Sequence, residues 1–165
     1  MAVGGHAVSA AGSGALRCRL TDAMREFVAA LDAPQLLAVA ETLLISAGYH
    51  LIDGERANPN DGPTSCASRV LGLDALGLAR VLVQAVQSEA PIQSGAIHRF
   101  AREMSTRRCR FGVMLAQHEF VPDAREALTL IERDVMLIDG QELARRLADR
   151  ALGASQQARG RVLDA

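Results

Sequence analysis

The sequence predicts an α/β fold: a three-layer α/β/α sandwich around a mixed central sheet of about five strands. Three observations lead there. Hydropathy periods along the 165 residues give the order α, α, β, β, β, α, β, α, β, α. The run Asp74-Ala75-Leu76-Gly77 separates two strand-like stretches. It has Asp first and Gly last, as a type I turn prefers, so antiparallel pairing comes first. Beyond it, short apolar runs alternate with helical patterns, and such crossovers deliver parallel strands with helices on both faces.

The elements follow in order. The opening MAVGGHAVSAAGSG is made of small residues, and residues 1–20 are expected to form a flexible tail. Thr21 or Asp22 caps a first helix with Met24, Phe27, Val28 and Leu31 at helical spacing. Asp32 caps a second, with Pro34 in its first turn and Gly48 as its stop. Its apolar stripe is Leu36, Val39, Ala40, Leu43, Leu44 and Ala47. Tyr49 to Asp53 reads as a short strand, and GERANPNDGPT (54–64) as a loop.

Ser65–Leu73 and Leu78–Val86 are the two strands around the turn; the consecutive Val81, Leu82 and Val83 predict burial on both faces. A helix from Ser94 to Ser105 carries Ile97, Phe100, Ala101 and Met104 inward. Phe111–Ala116 is a buried strand. Pro122 opens a helix with Ala124, Ala127, Leu128 and Ile131, and Val135–Ile138 is the last strand. Asp139 and Glu142 have capping-box spacing for a final helix with Leu143, Leu147 and Ala151 inward. One domain over 21–152 is expected, with 153–165 frayed.

Composition narrows the chemistry. The chain has 18 arginines and no lysine, which excludes Schiff-base chemistry, a lysine general base and a P-loop lysine. Its 29 alanines and its use of Arg for Lys resemble the product of a GC-rich coding sequence. A net charge of −1 argues against strong nonspecific attraction of the whole chain to DNA or anionic membrane. Cys18, Cys66 and Cys109 lack metal-ligand spacing and read as free thiols of a reducing compartment. Glu41 and Arg80 interrupt the longest apolar stretches, so no membrane span is expected. A cytoplasmic location follows from this reading.

Four stretches carry a resemblance to a known family: SAGYHLID (46–53), VLVQAVQ (81–87), FGVMLAQHEFVPDAREAL (111–128) and VMLIDGQELARRL (135–147). Together they resemble the Mrr-like type IV restriction endonuclease domain of the PD-(D/E)xK nuclease superfamily. The likeness runs from about Leu36 to Leu147. It implies a restriction-endonuclease-like fold. It also implies a Mg²⁺ held by an aspartate at the second strand and a Glu or Gln on the third, with a lysine two residues later.

Position by position, the implied catalytic pattern departs. The strand Gln is present as Gln84, but Val86 stands where the family has lysine. The run matching the family's Asp-Gly-Gly-Ile-Asp is Asp61-Gly62-Pro63-Thr64-Ser65, which puts Ser65 where the ligand aspartate belongs. A serine and a neutral amide make a poor Mg²⁺ site. The resemblance therefore implies a degenerate, catalytically inactive domain that binds DNA weakly or assembles with a protein partner or a second copy of itself. On that reading there is no cofactor. The alternative is a divergent metal-dependent endonuclease with relocated ligands, drawing on Asp61 or Glu89 and on Mg²⁺; Asp61 also suits a plain turn, and Gln84 a buried amide bonded to backbone.

Arg99, Arg102, Arg107, Arg108 and Arg110 form the main basic cluster, suited to phosphates or an acidic partner, or simply to a solvated helix face. His6, His50, His98 and His118 have no ligand spacing. His118 and Glu119 follow a strand end, where sites often form, but a solvated loop is the preferred reading of them.

Overall fold

The computed structural model describes residues 7–58, 62–70, 78–86 and 88–163; at 7–11, 13, 53–58, 65–70, 78–79 and 154–163 it describes the backbone alone. The elements are α1 (Ala7–Ala29), α2 (Ala33–Ser46), β1 (His50–Asn58), β2 (Gly62–Val70), β3 (Leu78–Val86), α3 (Ser94–Thr106), β4 (Phe111–Ala116), α4 (Pro122–Ala127), β5 (Asp134–Ile138) and α5 (Gly140–Leu163). A 3₁₀ turn over Leu128–Leu130 extends α4. The element order is the one the sequence predicts.

The chain forms two units, one of residues 31–140 and the other of residues 1–30 with 141–165. In the larger unit the five strands lie in sequence order, β1-β2-β3-β4-β5. β1, β2 and β3 pair antiparallel, while β3–β4 and β4–β5 are parallel. Each parallel step advances one position in the same direction. Right-handed crossovers then place α3 and α4 on the same face of the sheet. Their shared core joins Leu82 of β3 and Met114 and Ala116 of β4 to Ile97, Phe100 and Met104 of α3 and Ala124 and Ala127 of α4.

Strand side chains alternate, so Val81, Val83 and Ala85, all buried, face the opposite layer. There α2 packs across the strands through Ala33, Leu36, Leu37 and Ala40, one face of a helix at i, i+3, i+4 and i+7. This unit alone is a three-layer α/β/α arrangement. Asp32 and Gln35 close a reciprocal capping box at the start of α2, with bonds of 2.8 and 2.9 Å, and Pro34 sits in the first turn. Gly48 ends the helix at φ 86°, a left-handed conformation that glycine adopts without strain.

The close approach of α3 to β4 depends on Gly112. A Cβ there would lie 2.6 Å from Phe100 Cε1 and 2.7 Å from Met104 Sδ. After the sheet's central strands, the chain segments at Ile92 and Phe120 form a parallel bridge, with bonds of 2.9 and 3.0 Å. In the smaller unit, Arg17 Nε donates to Asp149 Oδ1 at 3.0 Å, an exposed pair. Such a pair contributes little to stability.

Three sequence expectations need correction. Residues 54–58 and 62–64, assigned to a loop, belong to β1 and β2. Helix α1 starts at Ala7 rather than Thr21, and α5 continues to Leu163, so most of both expected tails is helical. Ala and Gln favour helix enough to carry these stretches despite their glycines. Inward positions also shift: Phe27 is 49% exposed, and α5 buries Leu143, Ala144 and Ala148 while Ala151 is exposed. The Asp74–Gly77 turn lies outside the described residues.

Candidate functional site

The strand Gln that the sequence singled out is Gln84 on β3, 4% exposed. On its face of the strand the neighbours two residues away are Leu82, fully buried, and Val86, packed against the same α3–α4 core. Gln84 is thus a polar position within an apolar row. In the parallel register, Met114 of β4 stands beside it.

Its antiparallel neighbour is set by the β2–β3 register. Thr64 pairs with Gln84, and Ser65 pairs with Val83. Directly opposed residues share a face and come closest across a sheet, so the residue across from Gln84 is Thr64 rather than Ser65. A four-residue turn at 74–77 between the predicted strands would have brought Ser65 opposite Val86. In the structure Val70 instead pairs with Leu78, three residues out of step with that arrangement. An odd slip exchanges the faces. Thr64 is 3% exposed and so is enclosed with Gln84.

A cation reaches this pair from another element. Arg107, the C-cap of α3, donates from Nη2 to Thr64 Oγ1 at 3.2 Å and from Nε to Glu103 Oε1 at 2.6 Å. The Glu103 contact is a charge-assisted i, i+4 pair. Its third nitrogen, Nη1, is buried without a hydrogen-bond partner. Leaving such a donor unsatisfied costs about 1–3 kcal/mol. The donors brought together are therefore a hydroxyl, an amide and a guanidinium. Mg²⁺ takes oxygen ligands and favours carboxylates, so this set suits an anion better than a divalent cation. Among the described residues, no three His, Cys, Asp or Glu side chains stand close enough together to hold a metal ion.

The remaining candidates spread along α3 and the corner after it. Arg99 and Arg102 lie on α3 and are both exposed. Arg108 is exposed and has φ 56°, a left-handed conformation unusual for a residue with a Cβ. Arg110, also exposed, lies over the Phe111 ring at 5.6 Å from its centroid. Asp61 lies outside the described residues. His118, Glu119 and Glu89 are exposed. Asp139 accepts from Arg125 at 3.2 Å. Cys109 is a buried thiol and Cys18 an exposed one.

Sequence reasoning missed Thr64 and Glu103. Glu103 stands four residues before Arg107, a spacing that signals a helical ion pair. Thr64 carried no signal of its own, because its role depends on the strand register. A separate open recess of about 500 Å³, lined by Leu44, Tyr49, Val81, Phe111, Val113 and Met136 among others, is mostly apolar.

Comparisons with known proteins agree with this architecture. The restriction endonuclease family model Mrr_cat matches residues 28–147. No curated protein sequence matches the chain. Among solved structures, the MspJI restriction endonuclease in complex with a 27-mer oligonucleotide superposes with TM-score 0.54 and 21% identity, covering 82% of this chain and 32% of that one. The DNA modification-dependent restriction endonuclease AspBHI gives TM-score 0.50 and 16% identity, covering 82% and 36%. The present chain thus spans about a third of the length of those enzymes. At such identities the likeness establishes the fold. The family match over residues 28–147 goes further, and by it the chain belongs to the Mrr_cat restriction endonuclease family.

Proposed function

We propose that this restriction endonuclease-like domain does not cleave DNA and instead binds it. One observation carries the reading: the positions implied to hold a metal and a lysine are Ser65, Gln84 and Val86, and the residue across from Gln84, Thr64, is bonded to the Arg107 guanidinium. Val86 cannot transfer a proton or offset charge on a phosphate. Arginine supplies charge but is useless as a base, since it stays protonated. A fixed cation bonded to Thr64 also opposes entry of a divalent ion by charge repulsion.

DNA as the partner is supported by the family and by MspJI, whose structure holds an oligonucleotide. It is supported further by the arginines that continue from α3 into the corner before β4. No described helix is long and apolar enough to cross a membrane, and a DNA partner fits the cytoplasmic location inferred from the sequence. Assembly with a protein partner or a second copy is compatible with this role.

The test is a plasmid cleavage assay with Mg²⁺ or Mn²⁺, using Gln84→Ala as control. The expected result is no nicking or linearisation by either protein. Metal-dependent cleavage that disappears in Gln84→Ala would overturn the reading and restore the divergent endonuclease, with ligands such as Asp61.

A further inference from the structure

Building on the DNA-binding reading, we propose that the corner between α3 and β4 is a metal-independent seat for one backbone phosphodiester. Arg107 receives the phosphate there, and the Glu103 carboxylate occupies its place until DNA arrives.

Three observations converge on this corner. The Arg107 guanidinium is incompletely used: Nε and Nη2 are bonded, and Nη1 is buried without a partner. Native proteins leave few buried donors in that state, and each calls for an explanation. The group on Nε is itself an oxyanion with two oxygens, the shape a phosphodiester presents through its two non-bridging oxygens. Glu103 is also the more exposed partner, at 38% against 15% for Arg107. The carboxylate is therefore the partner more open to solvent. The pair is only part-buried, so an incoming phosphate can displace it.

The third observation is independent of Arg107. Arg108 holds the left-handed conformation at φ 56°, where glycine is the low-strain residue. Strain of this kind persists where function retains it. The side chain is exposed, as is that of Arg110. Three of the four residues 107–110 are thus arginines, with Arg107 bonded inward to Thr64 and the other two exposed. Because the positive charge is covalently fixed in the protein, no metal ion is required to hold the phosphate.

The proposal makes Glu103 an internal competitor for DNA. Binding of a labelled DNA duplex, followed by fluorescence anisotropy in EDTA over a salt series, tests it. Glu103→Gln should tighten binding by about threefold to tenfold, and Glu41→Gln on α2, an equal charge change elsewhere, should alter it less. Arg107→Met should weaken binding about tenfold and reduce the log–log salt slope by about one. In the Glu103→Gln, Arg107→Met double variant the gain from Glu103→Gln should vanish. Replacing part of the chloride by inorganic phosphate at equal ionic strength should weaken wild-type binding only modestly; full competition would mean that the seat takes free phosphate rather than DNA.

If Arg107→Met fails to fold, Glu103→Gln against Glu41→Gln still decides the matter. Wild-type binding that Glu103→Gln leaves unchanged overturns this proposal alone. Absence of DNA binding by every variant overturns the DNA-binding reading and the proposal together.

Discussion

Helices α2 and α3 close with the same backbone pattern. Tyr49 N–H reaches back to the Leu44 carbonyl at 3.0 Å, and Cys109 N–H to that of Met104 at 2.8 Å. One residue earlier, Gly48 bonds to Ile45 at 3.0 Å and Arg108 to Ser105 at 3.2 Å. Both of these residues are left-handed, at φ 86° and 56°. At α2 the residue is the one that the geometry favours. At α3 it is an arginine, next to a half-buried guanidinium that bonds β2 and leaves one nitrogen unsatisfied. Two departures from low-cost design thus fall on adjacent residues, at a helix end that bonds Thr64. Local propensity and side-chain satisfaction agree along most of a native chain, and their joint failure marks where function has been retained.

The comparison breaks first if α3 is lifted from the sheet. Gly112→Ala would drive a methyl group into Phe100 and Met104. Urea denaturation should show a loss of about 1–3 kcal/mol, as for overpacking in other cores. The Arg107–Thr64 bond depends on the same close approach, so DNA affinity should fall with it. A loss confined to stability would mean that the α3 end does not position the binding residues.

Exchanging the two end residues sharpens the contrast. Gly48→Arg puts a side chain into the left-handed region and should cost about 1–2 kcal/mol, measured as a lower denaturation midpoint with DNA binding unchanged. Arg108→Gly should act in the opposite sense, raising stability by up to about 1 kcal/mol while weakening DNA binding severalfold. The gain is the smaller effect because glycine adds entropy to the unfolded chain. If Arg108→Gly is both more stable and equally tight, the strain at that residue serves no binding role.

Much of this architecture was legible beforehand, and the exceptions have physical causes. The bounds of β3 and β4, Leu78–Val86 and Phe111–Ala116, coincide with their apolar runs because both strands are interior. The Asp32 cap and the Gly48 stop carry their own chemical signals. The β1–β2 pair does not: GERAN and GPT are turn-forming sequences, and their strand state comes from pairing with neighbours. The same dependence hid the site. Gln84 and Val86 could be located from motifs, but which residue faces Gln84 is fixed by strand register. The observed register pairs Thr64 with Gln84 and Ser65 with Val83. Arg107 was visible only as one of five arginines, since its inward reach depends on how α3 ends.

The central claim is that the charge at this site belongs to the protein and not to a metal ion. The most direct measurement is the affinity of the wild-type chain for a labelled DNA duplex in Mg²⁺ and in EDTA, at matched ionic strength, with the duplex recovered and sized afterwards. The account predicts equal affinity in both conditions and intact DNA. Binding that requires Mg²⁺, or DNA shortened only where Mg²⁺ was present, would contradict it.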